Sequence, residues 1–366
     1  MGICWSWAFG PESDADMLTM DWLTWNTNLA KTSDADRIYT YSGSLTRYSA
    51  QHLSSNTNGI MRPPDVAVAN WQPGSGGTEL QGWVAVPFKR YNATVPSGNI
   101  DIIDVRVEAS SGQSSNAEVR TQSGTGVLRL YLGGGTFQGS TGVLNFSTWQ
   151  YVALKFNMPD GGPHTAELWV DGVQEVTGSV SRTTVADTIY VIFGGAGTSS
   201  NPWTFGQIIY YDDATDAGQT PYYVTRVSPN ADGTDVGTWN PTSGSDHASV
   251  TDPFNAATYT EEASPSPGDL VEVLINAGGA DIGTQLGVTP TSVQNVTLHT
   301  YSTGQLITAR AELRDSAGSA STTPGPTTSI DPTSTTYTLV SADAPAGGGS
   351  WTGASQPAYV YEVITS

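Results

Sequence analysis

Residues 148–172, TWQYVALKFNMPDGGPHTAELWVDG, carry two alternating runs separated by a turn. In the first, Val152, Leu154 and Phe156 fall on one side while Trp149, Tyr151 and Lys155 fall on the other. A period of two is that of a strand with one buried face. Pro159-Asp160-Gly161-Gly162-Pro163 reverses the chain, because proline presets φ and glycine reaches positive φ at no steric cost. In the second run Leu168 and Val170 point inward, Glu167, Trp169 and Asp171 point outward, and Asp171-Gly172 turns the chain again. The stretch predicts a β-hairpin followed by another tight turn.

Strand-like runs recur at 82–88, 100–108, 126–132, 188–193 and 206–211, each bounded by Gly, Ser, Asn or Pro. Only residues 12–25 have the spacing of a short helix. Over 212–245 the periodicity fails, which predicts a long connection. A second β pattern follows at 270–275, 293–301, 305–314, 335–341 and 357–364; in 305–314, Ile307, Ala309, Ala311 and Leu313 alternate with Thr308, Arg310, Glu312 and Arg314. Many short strands with turns between them predict an all-β chain of two β-sandwich, jelly-roll-like domains. The expected boundaries are 1–213 for the first domain, 214–245 for the connection and 246–366 for the second domain.

Composition changes this picture in three ways. Low charge (13%) with 37% hydrophobic residues, 41 Gly and 21 Pro is that of a folded β protein rather than a disordered one. The net charge of −20, with 14 basic residues against 34 acidic, argues against a nucleic-acid partner, since counterion release needs Lys and Arg. Residues 214–366 are the more acidic part, with 15 acids and 3 bases, an asymmetry that suits a solvated, outward-facing surface. Cys4 is alone, so neither an internal disulfide framework nor a thiolate zinc site is available. No apolar run reaches the length of a membrane span, no membrane partner is expected, and the N-terminus lacks the basic-then-apolar pattern of a secretory leader.

Two resemblances follow from the residues. STWQYVALKFNM and HTAELWVDGV, with neighbouring strands at 126–132 and 188–195, resemble the central hairpin of laminin-G and concanavalin A-like jelly rolls over residues 1–213. The run YYVTRVSPNADGTDVGTWNPTSGSDHASVTD, then GVTPTSVQNVTLHTYSTG, ARAELRDSAG and GSWTGASQPAYVYEV, resembles structural proteins of tailed bacteriophages. Those join a laminin-G-like domain to a C-terminal jelly-roll-like domain. The resemblance implies a virion protein, assembled in the host cytoplasm and exposed on the particle as a capsid decoration, spike or tail appendage. Its partners would be other virion proteins and copies of itself, a trimer being one such arrangement.

Candidate chemistry is sparse. The glucanase pattern Glu-x-Asp-x-x-Glu has its nearest match at Glu12-Ser13-Asp14-Ala15-Asp16-Met17, where Met17 stands in place of the second Glu. No Gly-x-Ser-x-Gly elbow and no His-Glu-x-x-His pair occurs. The expectation is a non-enzymatic protein that acts by docking. The alternative is a lectin-like host-adhesion protein that binds surface glycans. For it, Trp71, Trp203 and Trp239 sit in Pro/Gly-rich contexts suited to a sugar platform. Calcium is the one cofactor considered, a hard cation wanting several oxygens. Its candidate ligands are Asp212, Asp213 and Asp216, or Asn230, Asp232 and Asp235; laminin-G-like domains make a loop-rim calcium admissible. Trp149 and Trp169, facing away from the core of their own sheet, are candidates for an interface.

Overall fold

The computed structural model describes residues 3–7, 24–25, 29–32, 49–52, 61–62, 79–90, 99–108, 114–122, 124–143, 148–159, 162–182, 188–194, 203–211, 224, 227–250, 259–275, 292–304 and 306–365. The described chain is nearly all β, as expected, with every strand pairing antiparallel and one four-residue helix, Asp246–Ser249. No helix among these residues is long and apolar enough to cross a membrane.

Two sheets face each other across the first core. The larger runs from Val173–Ser181 through Pro163–Val170, Gln150–Pro159, Glu79–Arg90, Trp203–Phe205 and Ser49–His52 to Leu29–Thr32. Ile208–Tyr211 also pairs with Glu79–Arg90, and Ile3–Trp7 with Ile208–Tyr211. The smaller sheet has five strands in the order Thr136–Val143, Val127–Leu132, Ser114–Thr121, Ile100–Glu108 and Thr188–Ile192. Val84, Val86, Val152, Leu154, Phe156 and Leu168 from the first sheet meet Val105, Val107, Val119, Leu128, Leu130 and Val191 from the second. This is the alternation expected of a sandwich interior.

The hairpin read from the sequence is present. Gln150–Pro159 pairs with Pro163–Val170 through Val152↔Val170 and Leu154↔Leu168. Asp171 (φ 50) and Gly172 (φ 83) both take positive φ, as the tightest hairpin turns require. The prediction of one buried face per strand needs correction, however. Tyr151 and Ala153 on the far side are also buried, in a second cluster with Trp83, Ala85, Ile209 and Tyr211, against which Trp169 and Val224 pack. The far side is apolar enough to be covered, which alternation in a single strand does not disclose. The helix expected over 12–25 falls mostly outside the described residues; Thr24–Trp25 is a strand paired with Met61–Arg62.

In the second half, Ala231–Asp232, Leu270–Leu274, Ala358–Thr365, Thr308–Arg314 and Thr322–Ser329 form a five-stranded sheet. Parts of the stretch read as a connection are therefore built into sheets, Ala231–Asp232 here and Trp239–Pro241 against Thr260–Glu262. Strands of two or three residues are too short to show a period. Glu272, buried, fastens this region: it accepts hydrogen bonds from the Thr234 amide (3.1 Å), the Gly318 amide (2.9 Å) and Arg314 Nη1 (3.0 Å).

The antiparallel pair Val296–Ser302 with Thr336–Ala342, two strands separated in sequence by Thr308–Arg314 and Thr322–Ser329, has two apolar faces. Val296, Leu298, Val340 and Ala342 belong to the core of the second half. Tyr337 and Leu339, with Tyr301 beside them, belong to the core of the first sandwich. There His299 meets the edge of Trp7 with ring centroids 5.2 Å apart, and its Nδ1 lies 2.7 Å from the Tyr337 hydroxyl.

Candidate functional site on the five-stranded sheet

The smaller sheet of the first sandwich turns its other face outward, and that face is largely polar and aromatic, with Val127 and Ile192 as apolar members. The alternation that buries Val105, Val119 and Leu130 points Asp104, Arg106, Asn116, Glu118, Arg120, Arg129 and Tyr131 away from the core. Strand pairing sets them in rows. One row reads Asp104, Glu118, Tyr131, Phe137 across four strands. A second reads Asp101, Arg120, Arg129, Ser140, and a third Tyr190, Arg106, Asn116. Cross-strand neighbours of this kind lie close enough for their side chains to interact.

The turn Gly133-Gly134-Gly135 holds one end of the face. All three glycines take positive φ, and a Cβ on Gly133 would come 2.9 Å from both Val180 Cγ1 and Arg182 Nε. The Gly134 amide donates to Asn116 Oδ1 at 2.8 Å, which turns the Asn116 amide nitrogen toward the carboxylates. Asn116 Nδ2 then donates to Asp104 Oδ1 (3.2 Å) and Glu118 Oε2 (3.1 Å). Arg106 Nε donates to Asp104 Oδ2 at 2.6 Å. Arg120 Nε bonds Glu118 and lies 2.9 Å from Asp101 Oδ1.

Glu118 is 0% exposed and Asp104 1% exposed, while Phe137 is 51% exposed. Burial pushes the Glu118 carboxyl up to about 8, with the hydrogen bond it donates to Asp101 and the charges of Asp101 and Asp104 adding to it against Arg120. Burial also raises Asp104, opposed by Arg106. At neutral pH Glu118 therefore keeps its proton in a floor of carboxyls beneath the arginines. Above that floor lie Arg120 over the Tyr131 ring and Arg129 over the Phe137 ring, each 5.0 Å from the centroid, with the two rings 5.8 Å apart.

The residues singled out from sequence lie elsewhere. Trp71, Asp212, Asp213 and Asp216 fall outside the described residues, as does the side chain of Trp203, whose backbone is in Trp203–Phe205. Trp239 is half-buried on a short strand of the second half and donates from Nε1 to the Val236 carbonyl at 3.0 Å. Asp232 Oδ1 accepts from the His247 amide (2.7 Å) and lies 2.9 Å from His247 Nδ1. Asp235 Oδ1 accepts from the Glu272 amide at 3.1 Å. Its carboxyl is pushed up to about 6, by burial first and then by Asp246 and Asp232. Asn230 is half-buried nearby in sequence. Among the described residues, no group of three or more His, Cys, Asp or Glu is placed to hold a metal ion. Trp149 and Trp169 are both half-buried; Trp169 packs on Trp83 at 5.7 Å and donates to Glu167 at 2.9 Å.

No protein-family model matches the chain, and no curated protein matches it. Solved structures similar to it include endo-β-1,4-glucuronan lyase from the fungus Trichoderma reesei, at 8% identity over 53% of this chain and 90% of that one, TM-score 0.37. Alginate lyase Aly36B is similar at 14% identity over 47% and 86%, TM-score 0.33. The carbohydrate-binding module CBM66 from Bacillus subtilis is similar at 4% identity over 50% and 96%, TM-score 0.27. Similarity at this level is one of β-sandwich shape. The expectation that the protein is not an enzyme is withdrawn: the solved structures similar to it include these two lyases. The resemblance to tailed-phage structural proteins gains no support from these comparisons.

Proposed function

We propose that the chain is a glycan-binding protein whose binding face is the outward side of the five-stranded sheet. The observation that carries this reading is the row ending in Tyr131 and Phe137. It is an aromatic pair, Phe137 exposed and Tyr131 half-buried, braced by arginines and bordered by Asn116 and Ser140 on one sheet. Sugar rings present apolar C–H faces that stack on aromatics and hydroxyls that need fixed polar partners. A flat sheet offers both at strand spacing, and rigid side chains lose little entropy when a ligand arrives. The test is a glycan array followed by calorimetry on the hits with a Phe137→Ala variant. Phe137 is already half-exposed, so the variant folds, and binding should weaken about tenfold, equivalent to about 1.4 kcal/mol. Unchanged affinity counts against the face.

Glycan cleavage on the same face is a second reading, favoured by the directly opposed Asp104 and Glu118, one of which keeps its proton at neutral pH. Both lie buried beneath the arginines, which puts binding ahead of cleavage. Release of new sugar ends that stops in Glu118→Gln would reverse that order. The particle setting implied by the phage resemblance belongs to the same proposal, with the face presented to a host surface. Mass spectrometry of purified particles decides it by presence or absence of the chain.

A further inference from the structure

The chain holds few cations, 14 Lys and Arg against 34 acids, yet Arg106, Arg120 and Arg129 all rise on this one sheet face. Two of them are committed. Arg106 is held by Asp104, and Arg120 by Glu118 and Asp101. Arg129 is not. Among the described residues it forms no ion pair, and its Nε is buried with no hydrogen-bond partner. Its contacts are the Tyr131 hydroxyl, 3.4 Å from Nη1, and the Phe137 ring beneath it. The cross-strand neighbours of Arg129 are Arg120 on one side and neutral Ser140 on the other. In so acidic a chain a carboxylate at either position would be easy to supply. The rest of this half-buried side chain is open to solvent with no anion of the described residues to meet, and a charged donor without a charged acceptor favours one supplied from outside.

We infer that Arg129 anchors an anionic group, a carboxylate or a sulfate, on a glycan that packs against the exposed Phe137, so that the ligand is an acidic glycan. The inference rests on the glycan-binding reading and names its ligand class. The Arg129 guanidinium carbon lies 5.0 Å from the Phe137 ring centroid, and a planar fork of N–H donors matches a carboxylate or sulfate edge in two parallel hydrogen bonds. The carboxylates below do not oppose this. Asp104 and Asp101 are neutralised by Arg106 and Arg120, and Glu118 keeps its proton at neutral pH. The pairs beside Arg129 then leave its own positive charge uncancelled, within a strongly negative chain.

The experiment titrates the full chain calorimetrically with three probes: a short oligouronate, the same oligomer carboxyl-reduced to neutral sugars, and a sulfated neutral oligosaccharide. Wild type, Arg129→Gln and Phe137→Ala are compared, with circular dichroism confirming that each is folded. The expected result is that an anionic probe binds about tenfold or more tightly than the reduced one, and that Arg129→Gln erases the difference. Preference for the oligouronate identifies a carboxylate as the group read; preference for the sulfated probe identifies a sulfate. Equal binding of all three probes, unaffected by Arg129→Gln but weakened by Phe137→Ala, overturns the inference and leaves the glycan-binding face standing. Binding indifferent to both substitutions removes the face as well. Failure of all three probes to bind overturns the acidic-glycan assignment.

Discussion

Glu118 is the residue through which the face and the fold are coupled. Its carboxyl ordinarily titrates near 4.5, and burial in the sheet moves it up to about 8. Between those values the folded state holds a proton that the unfolded chain has released, so stability falls as pH rises across the window and levels off above it. Asp104, raised by the same burial, adds a contribution of the same sign. Glu118→Gln keeps the neutral shape without the titration. Its thermal midpoint should therefore decline less than that of wild type between pH 5 and pH 8, the span set by those two values. Identical declines in the two proteins would show that the carboxyl is solvated and ionised. The site itself was partly legible. The outward positions of 100–108 and 126–132 alternate with their apolar positions, but the segment between them, SSNAEVRT, looks like a loop because its Ser and Asn residues favour turns. Without that middle strand, Asp104, Glu118 and Tyr131 have no reason to share a row. Tryptophan drew attention instead, while the exposed platform uses Tyr131 and Phe137.

At the scale of elements, turn chemistry and apolar alternation located Ile100–Glu108, Gln150–Pro159 and Thr308–Arg314, and they failed at Ser114–Thr121, Thr136–Val143 and Val173–Ser181 and where a strand is built without either signal. Thr322–Ser329, TTPGPTTS, is the clearest case. Its two prolines suit an edge position, where a missing N–H breaks no interior ladder, and it is an edge strand of its sheet. Gly325 allows that edge to lie close to its neighbours: a Cβ there would come 2.7 Å from Val340 Cγ2 in Thr336–Ala342 and 3.0 Å from the Ala311 carbonyl oxygen in Thr308–Arg314. Backbone cannot move aside as a side-chain end can. Gly325→Ala should cost about 1–3 kcal/mol, read as a lower midpoint in urea with an unchanged slope. A neutral effect would mean that the strand stands off from Val340.

At the scale of the molecule, the strand pair Val296–Ser302 with Thr336–Ala342 works as a shared wall. Its strands belong to the second half by sequence, yet Tyr337 and Leu339 complete the core of the first sandwich. Composition and periodicity could mark two β regions but not this exchange, since alternating apolar residues look the same whichever core they enter. Removing Leu339, which is 1% exposed, leaves a cavity in the first core, and Leu339→Ala should cost about 2–5 kcal/mol. Calorimetry should show that loss in the transition that unfolds the first sandwich. A shift confined to a separate transition of the second half would place Leu339 in that core alone.

The claim tested most directly by one measurement is that the outward face of the five-stranded sheet is where a glycan sits. Amide hydrogen exchange of the full chain, with and without a saturating glycan from the array, maps that contact without any substitution. The account predicts slowed exchange in the segments 114–121 and 127–140, centred on the turn that holds Asn116 and Phe137. Protection confined to the segments around Trp203 or Trp239, with 127–140 unchanged, would contradict it.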